Sequence, residues 1–139
     1  MVLTTFKDFG ASDGSLTWAV PKSGAWWCNF AFYGEDNHKT YLAKYENWRE
    51  VARWTYPPEV IKAFGKNSAS CGIWAGASLL VTGHDERELF LLELPADGGV
   101  LRHIATVPVP FTGQGFAADP QSGGLIGIDR AKRQVVFAQ

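Results

Sequence analysis

The chain has 139 residues, the length of a single domain, and its 46% hydrophobic and 19% charged residues are typical of a globular protein. Its formal net charge is −1 and no basic cluster is present, so nucleic acid and anionic membrane surfaces are not expected partners. The first residues lack the pattern of a signal peptide and no apolar run is long enough to span a membrane, which predicts a cytoplasmic location.

Strand-like segments rich in β-branched and aromatic residues follow one another along the chain, most of them bounded by Gly, Pro, Asp or Asn. In chain order they are SLTWAV, AWWCNFAFY, KTYLAKY, REVARWTY, ASLLVTG, ELFLLEL, VLRHIATVPV, GLIGID and QVVFAQ. The prolines of Pro57–Gly65 predict one short helix of one or two turns. Cys28 and Cys71 lie in apolar runs and are predicted to be buried free thiols, with a disulfide as the alternative in an oxidising compartment.

The strands recur as a unit of roughly 40–50 residues. Gly34, Gly83 and Gly127 can be placed in register, each associated with an apolar run, an acidic turn and a further apolar run. Four strands in such a unit are typical of a β-propeller blade. The sequence therefore predicts an all-β propeller with blades at 14–56, 68–110 and 113–139, the last without its outer strand.

Three blades are too few to close a ring, since propellers usually have about 4–8. An open arc would also leave apolar sheet faces bare at both ends. We therefore expect two chains to pair with two-fold symmetry into a six-bladed ring. In this homodimer, residues 1–9 of one chain are predicted to form the outer strand beside Gln134–Ala138 of the other, which removes an exposed edge.

Several segments carry a resemblance to a known family. GSLTW, WWCNFAFYG, GHDERELFLLELP, GQGFAADP and GIDR resemble the C-terminal half of an uncharacterised bacterial family of six-bladed β-propeller proteins. The resemblance covers nearly the whole chain from about Gly14, and it implies a fold without implying a reaction. This chain departs from the family because it lacks the first half, which would supply three more blades. It is therefore either a half-propeller that pairs with itself or a fragment whose other half is a separate chain.

His84 and Asp85 form the sharpest candidate for catalysis, because a histidine beside a carboxylate can serve as an oriented general base. The alternative is that the pair holds blades together, with the His ring and the Asp bonding to the backbone of the neighbouring inner strand and so fixing the turn. An aspartate recurs in each unit, as Asp36, Asp85 and Asp129, and this repetition favours shared turn chemistry over a single active site.

The turns inside the blades and the connections between them are predicted to surround the mouth of the channel, where propellers usually bind small molecules. Candidate ligand-binding residues on this face are Asp36, His38, Gln114 and Arg130. Asp13, Asn67 and Gln114 occupy equivalent connections and offer the oxygen ligands that a divalent cation such as Ca²⁺ prefers. The alternative for this second set is turn capping.

These features predict a binding or scaffold protein with a small ligand at the channel mouth. One alternative is a metal-dependent hydrolase of the lactonase kind, in which the cation site would be catalytic. A second alternative is a sugar-binding lectin, since tryptophan rings stack on sugars. Trp48 and Trp54 lie on a predicted outer strand and are expected to be partly exposed, whereas the other tryptophans are expected in the core.

Overall fold

The computed structural model describes residues 14–139, and this part of the chain is mainly β-structure, which confirms the predicted all-β class. The first sheet contains β1 (Ser15–Lys22), β2 (Ala25–Ala31), β3 (Tyr41–Glu46) and β4 (Arg49–Thr55). These strands pair antiparallel in chain order. Asn47 and Trp48 join β3 to β4 and both have positive φ angles, as a two-residue type I′ turn requires. The predicted exchanged strand at residues 1–9 lies outside the described residues.

A short helix, α1 (Pro58–Phe64), leads to the second sheet. The strands that follow are β5 (Cys71–Ala75), β6 (Ser78–Thr82), β7 (Glu88–Glu93), β8 (Gly99–Val100) and β9 (Arg102–Pro108). β5, β6, β7 and β9 form the second antiparallel sheet. The third sheet contains β10 (Phe116–Ala118), β11 (Leu125–Asp129) and β12 (Gln134–Ala138), also in chain order.

The predicted helix at the prolines is confirmed. Pro58 lies in the first turn of α1, where its missing N–H costs nothing, and Gly65 ends the helix with a φ of 64°. Val60, Ile61 and Phe64 are buried between the first two sheets.

Successive side chains of a strand point to opposite faces of its sheet, and apolar residues occur on both faces of the sheets. One face of the first sheet, with Trp18, Leu42 and Trp54, packs against Leu79 and Phe90 of the second sheet. The opposite face of the second sheet packs against the third through a cluster of Leu89, Val109, Phe111 and Phe116. The three sheets therefore stack face to face in chain order.

The first strands of successive sheets are neighbours, β1 beside β5 and β5 beside β10. Gly72 of β5 allows the Trp18 ring of the first sheet to pack directly on its backbone. An added Cβ at this position would lie 2.6 Å from that ring. Each of the three sheets formed by residues 14–139 is open, and none closes into a barrel.

The third sheet presents an apolar face that points away from the second sheet. We call it the outer face of the third sheet; its residues are Ala117, Ile126, Ile128, Val135 and Phe137. Val135 is 62% exposed and Phe137 is 66% exposed. Among residues 14–139, β12 is also an edge strand, because it pairs only with β11.

The segment VLRHIATVPV, predicted as one strand, is divided. β8 leaves the second sheet and pairs parallel with β4 of the first, and the Leu101 N–H donates to the Thr55 carbonyl at 2.9 Å.

The prediction that Trp54 is partly exposed was wrong. Its ring is 3% exposed because the chain near β8 covers it, and its indole N–H donates to the Pro95 carbonyl at 2.8 Å.

The three glycines used to align the units differ in structure. Gly34 has a φ of 61° and opens a 3₁₀ turn, Gly34–Lys39, whereas Gly83 directly follows β6. Gly127 lies within β11, so the alignment was displaced in the third unit.

Cys28 and Cys71 are free thiols, the first buried and the second half-buried. In the described part of the chain, no helix has the length and apolar character needed to cross a membrane.

Candidate functional site

Five of the residues singled out from the sequence meet at one end of the second and third sheets. They come from the 3₁₀ turn that ends at Asn67, the turn after β6, the connection before β10 and the turn after β11. We call this group the His84 network; its members are Asn67, His84, Asp85, Gln114 and Arg130. It joins two connections to two turns, so its geometry depends on how the two sheets pack.

Hydrogen bonds link the members in a chain. The Asp85 carboxylate lies 2.6 Å from His84 Nδ1 and accepts a bond from the Asn67 amide at 2.8 Å. The other ring nitrogen, Nε2, contacts the side-chain amide nitrogen of Gln114. Arg130 donates to the Gln114 side-chain oxygen at 3.4 Å. When Nδ1 donates to Asp85, Nε2 is the ring atom that can accept from the Gln114 amide.

The carboxylate of this pair is ionised at neutral pH. The hydrogen bond from His84, followed by the bond from Asn67, lowers the pKa of Asp85 below its usual value. A histidine oriented by an ionised aspartate has the arrangement of a general base. Here Nε2 is engaged by Gln114, so a substrate would have to displace that amide before a proton could move to the ring.

A shallow depression of about 380 Å³ opens beside the network. His84, Asp85, Gln114 and Arg130 line it together with Thr112. Thr112 was not predicted as a site residue, although its position two residues before Gln114 in the same connection is the signal that could have identified it. The depression combines a guanidinium group, an imidazole, a carboxylate and an amide within one small volume.

An ion pair between the exposed side chain of Arg87 and the buried carboxylate of Asp129 lies at this end of the sheets. Arg87 donates to the Asp129 carboxylate at 2.7 Å and to the Pro110 carbonyl at 2.7 Å, and Asp129 is 1% exposed. Burial by itself raises the pKa of Asp129. The backbone N–H of Lys132 and the Arg87 guanidinium outweigh that effect, and the pKa is lowered below its usual value. Arg87 thus ties the turn after β6 to the connection that carries Thr112 and Gln114.

His38 and Asp36 are not part of this network. Both lie in the 3₁₀ turn Gly34–Lys39, where His38 Nδ1 contacts the Glu35 carbonyl at 2.9 Å and Asp36 pairs with Lys39 at 2.8 Å. The hydrogen bond from Lys39 lowers the pKa of Asp36. The side-chain partners found for these two residues in the described part of the chain are local, so the predicted ligand set is divided between two turns.

The proposed metal ligands are only partly described. Asn67 and Gln114 contact opposite nitrogens of the His84 ring, whereas Asp13 lies outside the described residues. Within residues 14–139, no group of three or more His, Cys, Asp or Glu side chains is placed to hold a metal ion.

The turns inside the first two sheets have a common mechanical role. Asn37 donates to the Gly65 carbonyl at 2.8 Å, and Arg87 donates to the Pro110 carbonyl at 2.7 Å. In each case a turn of one sheet holds the connection that leads to the next. The predicted alternative was that turn residues hold successive units together through bonds to the backbone. Asn37 and Arg87 make such bonds. His84 and Asp85 instead bind other side chains.

Comparisons with protein-family models, with curated proteins and with solved structures give no significant match. The resemblance to bacterial six-bladed propellers therefore stays a prediction, and the function is argued from the site alone.

Proposed function

We propose that the protein is a binding protein that forms a six-bladed β-propeller from two chains and holds a small ligand with an anionic group in the depression beside the His84 network. The observation that carries the ligand site is the convergence of polar side chains from four separate segments at one end of the sheets. Such concave sites with a few convergent polar groups are where small molecules usually bind.

The anionic group is assigned from the lining residues. Arg130 is exposed, and within residues 14–139 its guanidinium makes only a long bond to Gln114. It is therefore available to a carboxylate, for which its forked donors are well suited. The Thr112 hydroxyl and the Gln114 amide are further hydrogen-bonding groups at the same depression. Asp85 is already engaged by His84 and Asn67, so its negative charge is partly compensated.

The ring of six sheets is supported by the repeated stacking within the chain. The first sheet packs on the second and the second on the third, always with neighbouring first strands. The outer face of the third sheet is apolar and exposed, and a further sheet would cover it in the same manner. Supplied by a second copy with two-fold symmetry, that contact occurs twice and closes the ring.

Light scattering tests the assembly. We expect a dimer of twice the 15.3 kDa chain mass at micromolar concentration, and we expect Phe137→Glu to give a monomer because it places a charge on the outer face of the third sheet. Ile104→Glu is the matched control, since Ile104 is 49% exposed at a bulge of β9, away from that face. A monomeric wild-type chain, or a dimeric Phe137→Glu variant, would refute the ring.

Ligand binding is tested by titration calorimetry with acetate, lactate, succinate and citrate. We expect at least one of them to bind, and Arg130→Gln to weaken it about tenfold, because a charged hydrogen bond is lost. Arg102→Gln is the control, since Arg102 is an exposed arginine paired with Glu93 on the second sheet. Absence of binding by all four anions, or equal affinity in the Arg130→Gln variant, would refute the site.

The hydrolase alternative is supported by the 2.6 Å contact between His84 and Asp85. It is tested by incubating the protein with a γ-lactone and Ca²⁺ and following ring opening. Our proposal predicts no hydrolysis above the uncatalysed rate. Turnover that disappears in His84→Gln would favour the hydrolase instead.

A further inference from the structure

The segment 94–101 breaks the regular plan of the first two sheets. The hairpins β1–β2, β3–β4 and β5–β6 each have two connecting residues, whereas β7 and β9 are separated by eight residues that include β8. Three successive residues in this segment, Asp97, Gly98 and Gly99, have φ angles of 62°, 105° and 111°. Glycine adopts these angles freely, but the left-handed conformation of Asp97 is uncommon for a non-glycine residue, and residues held in such conformations cluster at functional sites.

This segment borders an open cavity of about 440 Å³ on the first sheet, within the range of about 300–1,000 Å³ that small-molecule sites occupy. The rings of Trp27 and Trp54 lie on its apolar side, with centroids 5.3 Å apart. Trp54 is fully covered, but Trp27 is half-buried while its indole N–H is buried. The exposed part of Trp27 is therefore its carbon surface, which is suitable for stacking.

Charged groups surround this aromatic surface. Lys44 and Glu46 form an ion pair at 2.6 Å, and the exposed Asp97 also lines the cavity. Among residues 14–139, Asp97 makes no ion pair. An available carboxylate can accept two hydrogen bonds from adjacent hydroxyl groups, and Lys44 can donate to a third.

We infer that this cavity binds a neutral saccharide. A pyranose has an apolar face of C–H groups that matches the carbon surface of Trp27, and vicinal hydroxyls that match Asp97 and Lys44. An organic cation fits less well, because the Lys44 ammonium already lies 5.6 Å from the Trp27 ring. The cavity shares no lining residue with the depression beside the His84 network, so this inference does not rest on the proposed function.

The test is saturation-transfer NMR on the intact chain with methyl β-glucoside, methyl β-galactoside, methyl α-mannoside, cellobiose and maltose. Each is supplied at about 10 mM, above the millimolar dissociation constant of a weak site. We expect transfer to at least one saccharide, together with a change in tryptophan fluorescence. Asp97→Asn should weaken binding about tenfold without changing the melting temperature, because asparagine also tolerates positive φ.

Asp36→Asn is the matched control, since Asp36 is an exposed carboxylate on another turn. It should leave saccharide affinity unchanged. Three results would overturn the inference: no transfer to any of the five saccharides, equal affinity in Asp97→Asn and the wild type, or preferential binding of tetramethylammonium or adenosine, used as a cation and a flat aromatic probe.

Discussion

Replacing Gly127 by alanine is expected to destabilise the third sheet strongly. A Cβ at this position would lie 2.1–2.4 Å from three ring carbons of Phe111, whereas ordinary contacts begin at 3.4 Å. The ring would have to move by about 1 Å, but Phe111 is fully buried and stacks on Phe116. Overpacking of this kind costs about 1–3 kcal/mol, and the triple overlap indicates the upper end. For this chain length, about 3 kcal/mol corresponds to a fall of roughly 10 °C in Tm.

Urea unfolding followed by tryptophan fluorescence measures this loss, with Gly115→Ala as the control. A Cβ at Gly115 would meet only Ile128, at 3.7 Å, so that variant should stay within about 0.5 kcal/mol of the wild type. Adding Phe111→Leu to Gly127→Ala should recover part of the loss, because the smaller side chain makes room. Equal stabilities of the two alanine variants would refute the assigned packing of Phe111, and with it the placement of the connection that carries Gln114.

Three further predictions concern the remaining polar groups. Tyr56→Phe should cost about 1–3 kcal/mol in chemical denaturation, because it removes the buried hydroxyl that donates to Asn29 at 2.7 Å; an unchanged midpoint would contradict the bond. The hydrogen bond from Ser122 lowers the pKa of Asp119 below 3.8, so this carboxylate stabilises the fold above that pH and the effect is lost as the pH falls through the lower folded value. Asp119→Asn should therefore lower the Tm above about pH 4, and this loss should shrink as the pH falls further; a loss of equal size at every pH would refute the assignment. Burial raises the pKa of Cys28 to about 11, so iodoacetamide should modify it only in unfolded protein. Rapid labelling of Cys28 in the native chain, distinguished from Cys71 by peptide mass spectrometry, would contradict that burial.

Local patterns were sufficient for α1 and for most of the strands, although VLRHIATVPV is divided between β8 and β9. Alternation along β2 and β3 sets Trp27 and Lys44 on one face and Cys28 and Ala43 on the other, and the structure shows this register. The prolines at the start of α1 restrict the backbone before any tertiary contact forms, so their signal could be read directly. Such features depend on neighbours in the sequence, which is why they were predictable.

Contacts between distant segments were not predictable in the same way. Trp54 looks like an outer-strand residue in its own hairpin, but Pro95, 41 positions away, accepts its indole N–H. The segment that contains Pro95 also covers the Trp54 ring, and no residue near Trp54 in the sequence indicates this contact. Pairing of Arg87 with Asp129, 42 positions apart, was missed for the same reason. Long-range packing decided the environment of both residues.

The aspartate that recurs in each unit has a different partner each time, so the sequence repeat does not indicate a repeated function. Asp36 and Asp85 lie in turns and Asp129 is the last residue of β11; their recurrence favoured one shared chemistry, yet their partners differ. Asp36 pairs with Lys39 at the surface, Asp85 orients His84, and Asp129 is buried against Arg87. A repeat needs a polar residue at this turn, but it does not determine the partner. The candidate sites therefore lie where the units differ, at the His84 network and the segment 94–101, and substitutions there should alter binding more than stability.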